Sequence, residues 1–270
     1  MAAGEDVEAA ILAARRGRPL RLLFDYDGTL VPIAASPDLA SPDAELLALF
    51  DQLVSVPDVS IDLVSGRPRE VLDGWFGHLA VALWAEHGLW RRDRGGEWHE
   101  TATVDAALLE QVVPLLERFV AITPGAHLER KSASVAWHYR GADDVTGSAR
   151  AGELRLLLGE AVEALPLEIL DGKKVIEVRF RGMTKAVVAR SMGAVTPSSL
   201  TIIAFGDDRT DEDLFQALPQ SSITVAVGQQ LAGARYQVDD FTAVRRILHR
   251  LLPPSLLDLP DSPSPHSPLN

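Results

Sequence analysis

Residues 21–33 read RLLFDYDGTLVPI, an apolar run that leads straight into Asp25-Tyr26-Asp27-Gly28-Thr29. The run is short and continuous, as expected of a strand buried on both faces, and it ends on two carboxylates spaced i, i+2. Asp and Gly are common turn formers, so Asp-x-Asp-Gly alone reads equally well as a chain reversal. The neighbouring segments narrow the reading. Apolar runs bounded by turn residues alternate with helix-period segments in the order LRLLF, PDAELLALFDQLVSV, SIDLVSG, PREVLDGWF and AVALWAE. This alternation predicts an α/β fold, a parallel sheet wrapped by helices.

After Gly88 the texture changes to GLWRRDRGGEWHE, which reads as a hairpin with Gly95-Gly96 at its tip. Residues 105–180 then read as one helix (DAALLEQVVPLLERFVAI), two strands (AHLERKS and SVAWHYR), a second helix and two more strands (PLEIL and KKVIEVRF) around Asp171-Gly172. Strands joined by short turns are antiparallel, so this block is expected to be a small α+β unit. From TKAVVARSMG the first rhythm returns. The expected organisation is a discontinuous core, residues 1–104 and 181–252, interrupted by a cap or lid at 105–180. The tail at 253–270 is rich in Pro and Ser and is expected to be disordered.

The chain has 270 residues, 26 basic and 38 acidic, for a formal charge of −12. That balance argues against a partner gripped through phosphate backbones or an anionic membrane, and leaves a small molecule as the expected ligand. No stretch approaches the roughly 20 apolar residues of a transmembrane helix. The first twenty residues lack the basic-then-apolar order of a secretory signal and read as a short amphipathic helix, so the expected location is cytoplasmic. With no cysteine in the sequence, any metal must be held by oxygen or imidazole. Oligomeric state is not legible.

In an open parallel sheet, ligands gather beyond the carboxyl ends of the strands. Four such places hold reactive residue types: Asp25 and Asp27; Ser65-Gly66-Arg67; Thr184-Lys185; and Gly206-Asp207-Asp208-Arg209-Thr210-Asp211-Glu212. Each has a plainer reading. Ser65-Gly66 could be a turn ahead of Pro68, Thr210 or Asp211 could cap the helix DEDLFQAL, and Lys185 could be a solvated charge. The crowding of four carboxylates into Asp207–Glu212 is costly unless a cation is near.

Together the segments DYDGT, LVSGR, TKAVVA and GDDRTDED resemble the four motifs of the haloacid-dehalogenase-type phosphotransferases. The resemblance implies a doubly wound, Rossmann-like core and an aspartyl-phosphate mechanism. Asp25 would be the nucleophile and Asp27 the general acid and base, work worth typically 10²- to 10⁴-fold in rate. Ser65 and Lys185 would hold the transferring phosphoryl oxygens. The implied cofactor is Mg²⁺, held by Asp25, the Asp27 backbone carbonyl and Asp207, with Asp208 and Asp211 near its shell.

DYDGTLVPI, AEHGLWRR, PGAHLERKSASVAWHYR, GKKVIEVRF and GDDRTDEDLF resemble, more narrowly, the trehalose-6-phosphate phosphatases over about residues 20–250. That likeness implies a phosphorylated disaccharide as substrate, with Glu129, Lys131 and Glu177 on its distal sugar. Glu129 and Lys131 read otherwise as a surface ion pair and Glu177 as a solvent-facing strand residue. Ser65, Gly66, Arg67 and His87 are further candidates for substrate contact, although Arg67 could instead pair with Glu70 or Asp208. His138 is a weaker candidate, and Trp84, Trp90 and Trp137 could stack on a sugar or sit in the core. Ala186 and Phe180 stand where the family commonly has Gly and Pro. Rival expectations are a phosphatase for another glycoside or sugar-acid phosphate, a phosphomutase, and a non-catalytic sugar-phosphate-binding domain.

Overall fold

The computed structural model describes residues 4–15, 18–34, 39–193 and 199–253. The larger of two sheets has β1 (Leu20–Phe24) between β2 (Val59–Val64) and β10 (Thr201–Gly206). Beyond β2 lies β3 (Ala82–Ala85), and beyond β10 lie β11 (Ile223–Val227) and β12 (Tyr236–Val238). These six strands pair in parallel. The edge next to β3 is the hairpin β4 (Trp90–Arg92) and β5 (Trp98–Glu100), antiparallel, its turn held by the Gly96 amide donating to the Asp93 carbonyl at 2.8 Å.

Side chains alternate along each strand, so Leu22 and Phe24 enter one core while Leu23 enters the other. On the first face pack α1 (Gly4–Ala14), α2 (Ala44–Val54), α3 (Arg69–Phe76) and α9 (Phe241–Leu251), through Ile11, Leu46, Phe76 and Val244. On the second pack α7 (Ala186–Gly193) and α8 (Arg209–Ala217), through Val188 and Leu214. Helices on both faces of a mainly parallel sheet make the core doubly wound. Phe24 stacks on Phe205 at 5.2 Å and both are fully buried, each contributing about 1.5–3 kcal/mol by burial. Among the described residues, no helix is long and apolar enough to cross a membrane.

The smaller sheet is antiparallel, in the order β6 (His127–Arg130), β7 (Ser134–His138), β9 (Val175–Phe180), β8 (Leu167–Gly172). One face, with Val135, Trp137, Ile176 and Val178, is covered by α5 (Val113–Ala121) and α6 (Asp144–Val162). Register places Glu129, Ala136 and Glu177 in one cross-strand row of the opposite face, and Ser134 with Arg179 in the next. The single helix predicted over DAALLEQVVPLLERFVAI is two, α4 (Ala106–Glu110) and α5. Pro114 in the first turn of α5 has no N–H to continue the preceding helix and favours a new start. Apart from Pro253, the Pro/Ser-rich tail lies outside the described residues.

β2 carries one buried carboxylate, Asp62, inside an otherwise apolar run. It accepts from Arg21 Nε and Nη2 at 2.8 and 2.7 Å and from Trp84 Nε1 at 2.9 Å. Removing it leaves the Trp84 donor buried without a partner and a half-buried guanidinium unpaired. Asp62→Ala is expected to lower the unfolding free energy by about 3 kcal/mol in urea titration. A loss below about 1 kcal/mol would show that water replaces the carboxylate.

Candidate active site

Phe24 pairs with Leu63 on one side and Phe205 on the other, so Asp25, Ser65 and Asp207 emerge from three adjacent strand ends. Between them lies Lys185, just ahead of α7 and 1% exposed. Its Nζ donates to Asp25 Oδ1 at 2.6 Å and to Asp211 Oδ1 at 2.7 Å. Burial alone would discharge this ammonium, but the charges of Asp211 and Asp25 overcome it and raise its pKa. The other oxygen of Asp211 accepts the Asp207 and Asp208 amides at 3.1 and 3.2 Å. Asp208, rather than Thr210 or Asp211, is the N-cap of α8, and Asp211 completes the capping box from the third helical position.

Two glycines let these carboxylates close in. A Cβ on Gly206 would sit 2.1 Å from Asp211 Cγ, and one on Gly28, at φ +85°, would sit 2.2 Å from Asp207 Oδ2. Oxygens of Asp25, Asp207 and Asp211 lie within 4.8 Å of one another. Burial, then the charge of Asp25, pushes Asp207 up to about 9. Burial also raises Asp25 and, well above the usual range, Asp211. Both oxygens of Asp211 are already engaged, which leaves Asp25 and Asp207 facing each other. Such a dry, all-oxygen pair fits a small, hard divalent cation.

The Asp27 carboxylate lies outside this trio and is gripped by Arg67, whose Nε and Nη2 donate at 2.7 and 2.6 Å. The guanidinium also lies over Trp75, 4.8 Å from the ring centre. Arg67 therefore pairs with neither Glu70 nor Asp208 in this state, and Glu70 is taken by Arg69 at 2.8 Å. Ser65 is buried, its Oγ accepting the Arg67 amide at 3.2 Å. Gly66 lies under the His87 ring, which a Cβ would meet at 2.7 Å.

Toward the smaller sheet, Glu129 Oε2 lies 2.9 Å from His138 Nε2 and Glu129 Oε1 lies 3.7 Å from Lys131 Nζ. The hydrogen bond to His138 holds the Glu129 carboxyl down at about 2. Glu129 and Lys131 are thus an ion pair, but one whose lysine side chain is only 12% exposed. Glu177 is not solvent-facing either: its Oε1, like His87 Nδ1 and Arg179 Nη1, is buried without a hydrogen-bond partner among the described residues. Burial lowers His87 to about 4, so the ring is neutral at pH 7; burial works against the Glu177 carboxylate, but the neighbouring charges of Lys131 and Arg179 outweigh it and lower its pKa. Buried polar atoms without partners are rare, and three in one neighbourhood fit a ligand that brings its own hydroxyls. Trp84 and Trp137 belong to the cores, and Trp90 is covered by Arg69, 3.9 Å from its ring centre.

The sequence profile of the trehalose-phosphatase family matches residues 23–240. The chain belongs to that family. It is 42% identical over 233 residues to a bifunctional trehalose-6-phosphate synthase/phosphatase of Thermoproteus tenax, covering 86% of this chain and 32% of the relative. It is 34% identical over 218 residues to a trehalose-phosphatase of Saccharomyces cerevisiae, covering 73% of this chain and 24% of the relative. The chain thus spans about a third or less of the length of these curated relatives. The C-terminal domain of a C. albicans trehalose-6-phosphate phosphatase superposes with a TM-score of 0.82 at 30% identity, covering 91% of this chain and 96% of that one. A haloacid dehalogenase-like hydrolase of Bacteroides thetaiotaomicron, at 13% identity and a TM-score of 0.63, shares the fold.

The matched span, residues 23–240, contains every site residue described above. Two residues at the site escaped the sequence reading. Arg179 stands two positions after Glu177 on a strand, and the two-residue period would have put both on one face. Glu86, a single carboxylate after an apolar run, carries no such signal.

The raised Asp207 carboxyl has a testable consequence. Its folded pKa lies above the unfolded one, so its favourable contribution is complete near pH 4 and is lost as pH rises toward 9. In chelator-treated protein at pH 8, Asp207→Asn is expected to be more stable than wild type by about 1 kcal/mol or more, with the gap closing toward pH 5. Millimolar Mg²⁺ is expected to raise the wild-type unfolding temperature and not that of the variant. Equal pH profiles for both proteins would refute the carboxylate pairing.

Proposed function

We propose that the chain hydrolyses trehalose 6-phosphate to trehalose and phosphate through an aspartyl-phosphate at Asp25. The observation that carries this reading is the buried Lys185 bridging Asp25 and Asp211, with an Asp207 oxygen within 4.8 Å of theirs. An Asp25 oxygen attacks phosphorus, and a P–O bond to Asp25 forms as the bond to the sugar oxygen breaks. Water then attacks the same phosphorus and the Asp25–phosphorus bond breaks, releasing phosphate. Two displacements through an acyl phosphate replace one harder step.

Asp27 protonates the departing sugar oxygen and later takes the proton of the attacking water. In this state each of its oxygens accepts one hydrogen bond from Arg67, which leaves each a further lone pair for a proton. Arg67 would keep the carboxylate in place between turnovers. Ser65 and Lys185 hold the phosphoryl oxygens, Lys185 as a compact charge. Asp25, Asp207 and the Asp27 carbonyl would hold Mg²⁺, which when bound neutralises the charge of the phosphoryl group.

The residues at 105–180 act as a cap over this site. Glu129, Lys131 and Glu177, with Gly66 and His87 below, receive the sugar hydroxyls. Donors and acceptors that the protein leaves unpaired discriminate strongly against substrates that cannot pair them. The expected setting is the cytoplasm, with a small phosphorylated disaccharide as partner and neither nucleic acid nor membrane.

Asp25→Asn is expected to reduce kcat by more than about 10³-fold while circular dichroism stays unchanged. In a screen of sugar phosphates on wild type, trehalose 6-phosphate is expected to lead by at least about tenfold in kcat/KM. Near-normal turnover by the Asn variant would overturn the mechanism. A flat screen would instead transfer the site to another phosphorylated glycoside.

A further inference from the structure

The segment Glu86-His87-Gly88, after β3, has three successive residues in the left-handed region, at φ 49°, 58° and 102°. Only glycine adopts that region readily, and two non-glycine residues held there in a row are a strained backbone that its surroundings must enforce. The surroundings are specific. The Glu86 amide donates to the Arg67 carbonyl at 3.1 Å and the His87 amide to the Ser65 carbonyl at 2.9 Å, so the segment is tied to the loop that carries Ser65.

The Glu86 side chain goes the other way. It is 6% exposed, and its Oε2 accepts the Ser132 amide at 2.7 Å and the Ala133 amide at 3.3 Å, while Oε1 accepts Ser132 Oγ at 2.9 Å. Ser132 and Ala133 form the turn between β6 and β7, immediately after Lys131. Trp90 Nε1 donates to the same Ser132 Oγ at 3.0 Å, and the Ala133 carbonyl accepts the Phe180 amide at 3.3 Å, where β9 leaves the smaller sheet. One core carboxylate therefore takes three hydrogen bonds from the cap beside the point where the cap rejoins the core.

We propose that Glu86 is a positioning residue, the pivot that fixes the cap turn at 132–133 to the phosphate-side loop and so sets Lys131, Glu129 and Glu177 over Asp25. This rests on the reading of the site as a sugar-phosphate phosphatase. Glu86 touches no reacting atom in that reading. Its effect passes through Ser132 and Ala133, so it should govern substrates that need the cap and spare those that do not. Its strained backbone keeps the carboxylate aimed at the cap while its neighbour's ring covers Gly66.

The test compares kcat/KM for trehalose 6-phosphate with that for p-nitrophenyl phosphate, which has no sugar hydroxyls, in the Mg²⁺-loaded full chain. Glu86→Gln offers one acceptor oxygen instead of two and places an N–H₂ against donors. It is expected to lower the disaccharide value at least tenfold more than the aryl value. Ser132→Ala, which keeps every backbone donor, is expected to shift the same ratio at least threefold, and the double variant to add little beyond Glu86→Gln alone. Hydrogen exchange at the Ser132 and Ala133 amides is expected to quicken at least tenfold in Glu86→Gln. Equal losses for both substrates, or unchanged exchange, would overturn the proposal. Should the Gln variant not fold, an unmoved ratio in Ser132→Ala overturns it just as well. Should wild type cleave only the aryl phosphate, the assigned substrate fails, and exchange at the two amides then decides the pivot by itself.

Discussion

A lysine in a dry interior is tolerated only if negative charge meets it, and Lys185 meets it twice, at Asp25 and Asp211. Each of those carboxylates has a second obligation. Asp25 must end β1 level with its neighbours, and Asp211 must close the first turn of α8 by accepting two amides. The position of one ammonium thus ties the central strand, the start of α7 and the start of α8 to a common point. Gly28 and Gly206 are the concession that makes room for it, since a methyl group at either would occupy carboxylate space.

Around that point the fold separates two environments. Below the strand ends, apolar side chains fill both faces of the sheet and the core needs nothing further. Above them, polar groups are numerous, buried and only partly paired. Arg67 and Asp27 pair with one another, as do Glu129, Lys131 and His138, but Glu177, His87 and Arg179 each retain an atom without a partner among the described residues. Buried polar atoms left in that condition are costly, and a molecule dense in hydroxyls could pair them.

The alternation of apolar runs and helical segments was enough to recover the parallel α/β core, because a strand buried on both faces leaves an unbroken apolar signature. LRLLF and LTIIAF carry it plainly. Edge placement of the 90–100 hairpin left no such mark, since a hairpin looks the same wherever it docks. The break before Pro114 was visible in principle, but the apolar period runs across it. Side-chain partners were the least legible. Arg67 had Glu70 and Asp208 as nearby acidic candidates, and the partner it takes, Asp27, is forty positions away in sequence but on the adjacent strand end. Charge patterns along a chain do not encode which strands lie side by side. The cap of α8 is obscure for a related reason: any of three neighbouring polar residues satisfies the local rule, and only the Thr210 amide that the Asp208 side chain accepts at 2.8 Å singles out Asp208.

The three hydrogen bonds from the cap turn to Glu86 also bear on how such proteins can be recombined. By sequence the cap looks like a detachable insert with two joints, which invites exchange with the insert of a relative. A further attachment lies outside the insert, in the core loop at 86–88, which also buttresses Ser65. A chimera built at the two chain crossings would therefore join a foreign cap to a mismatched seat, one made by Glu86 and by Trp90, whose Nε1 donates to Ser132 Oγ.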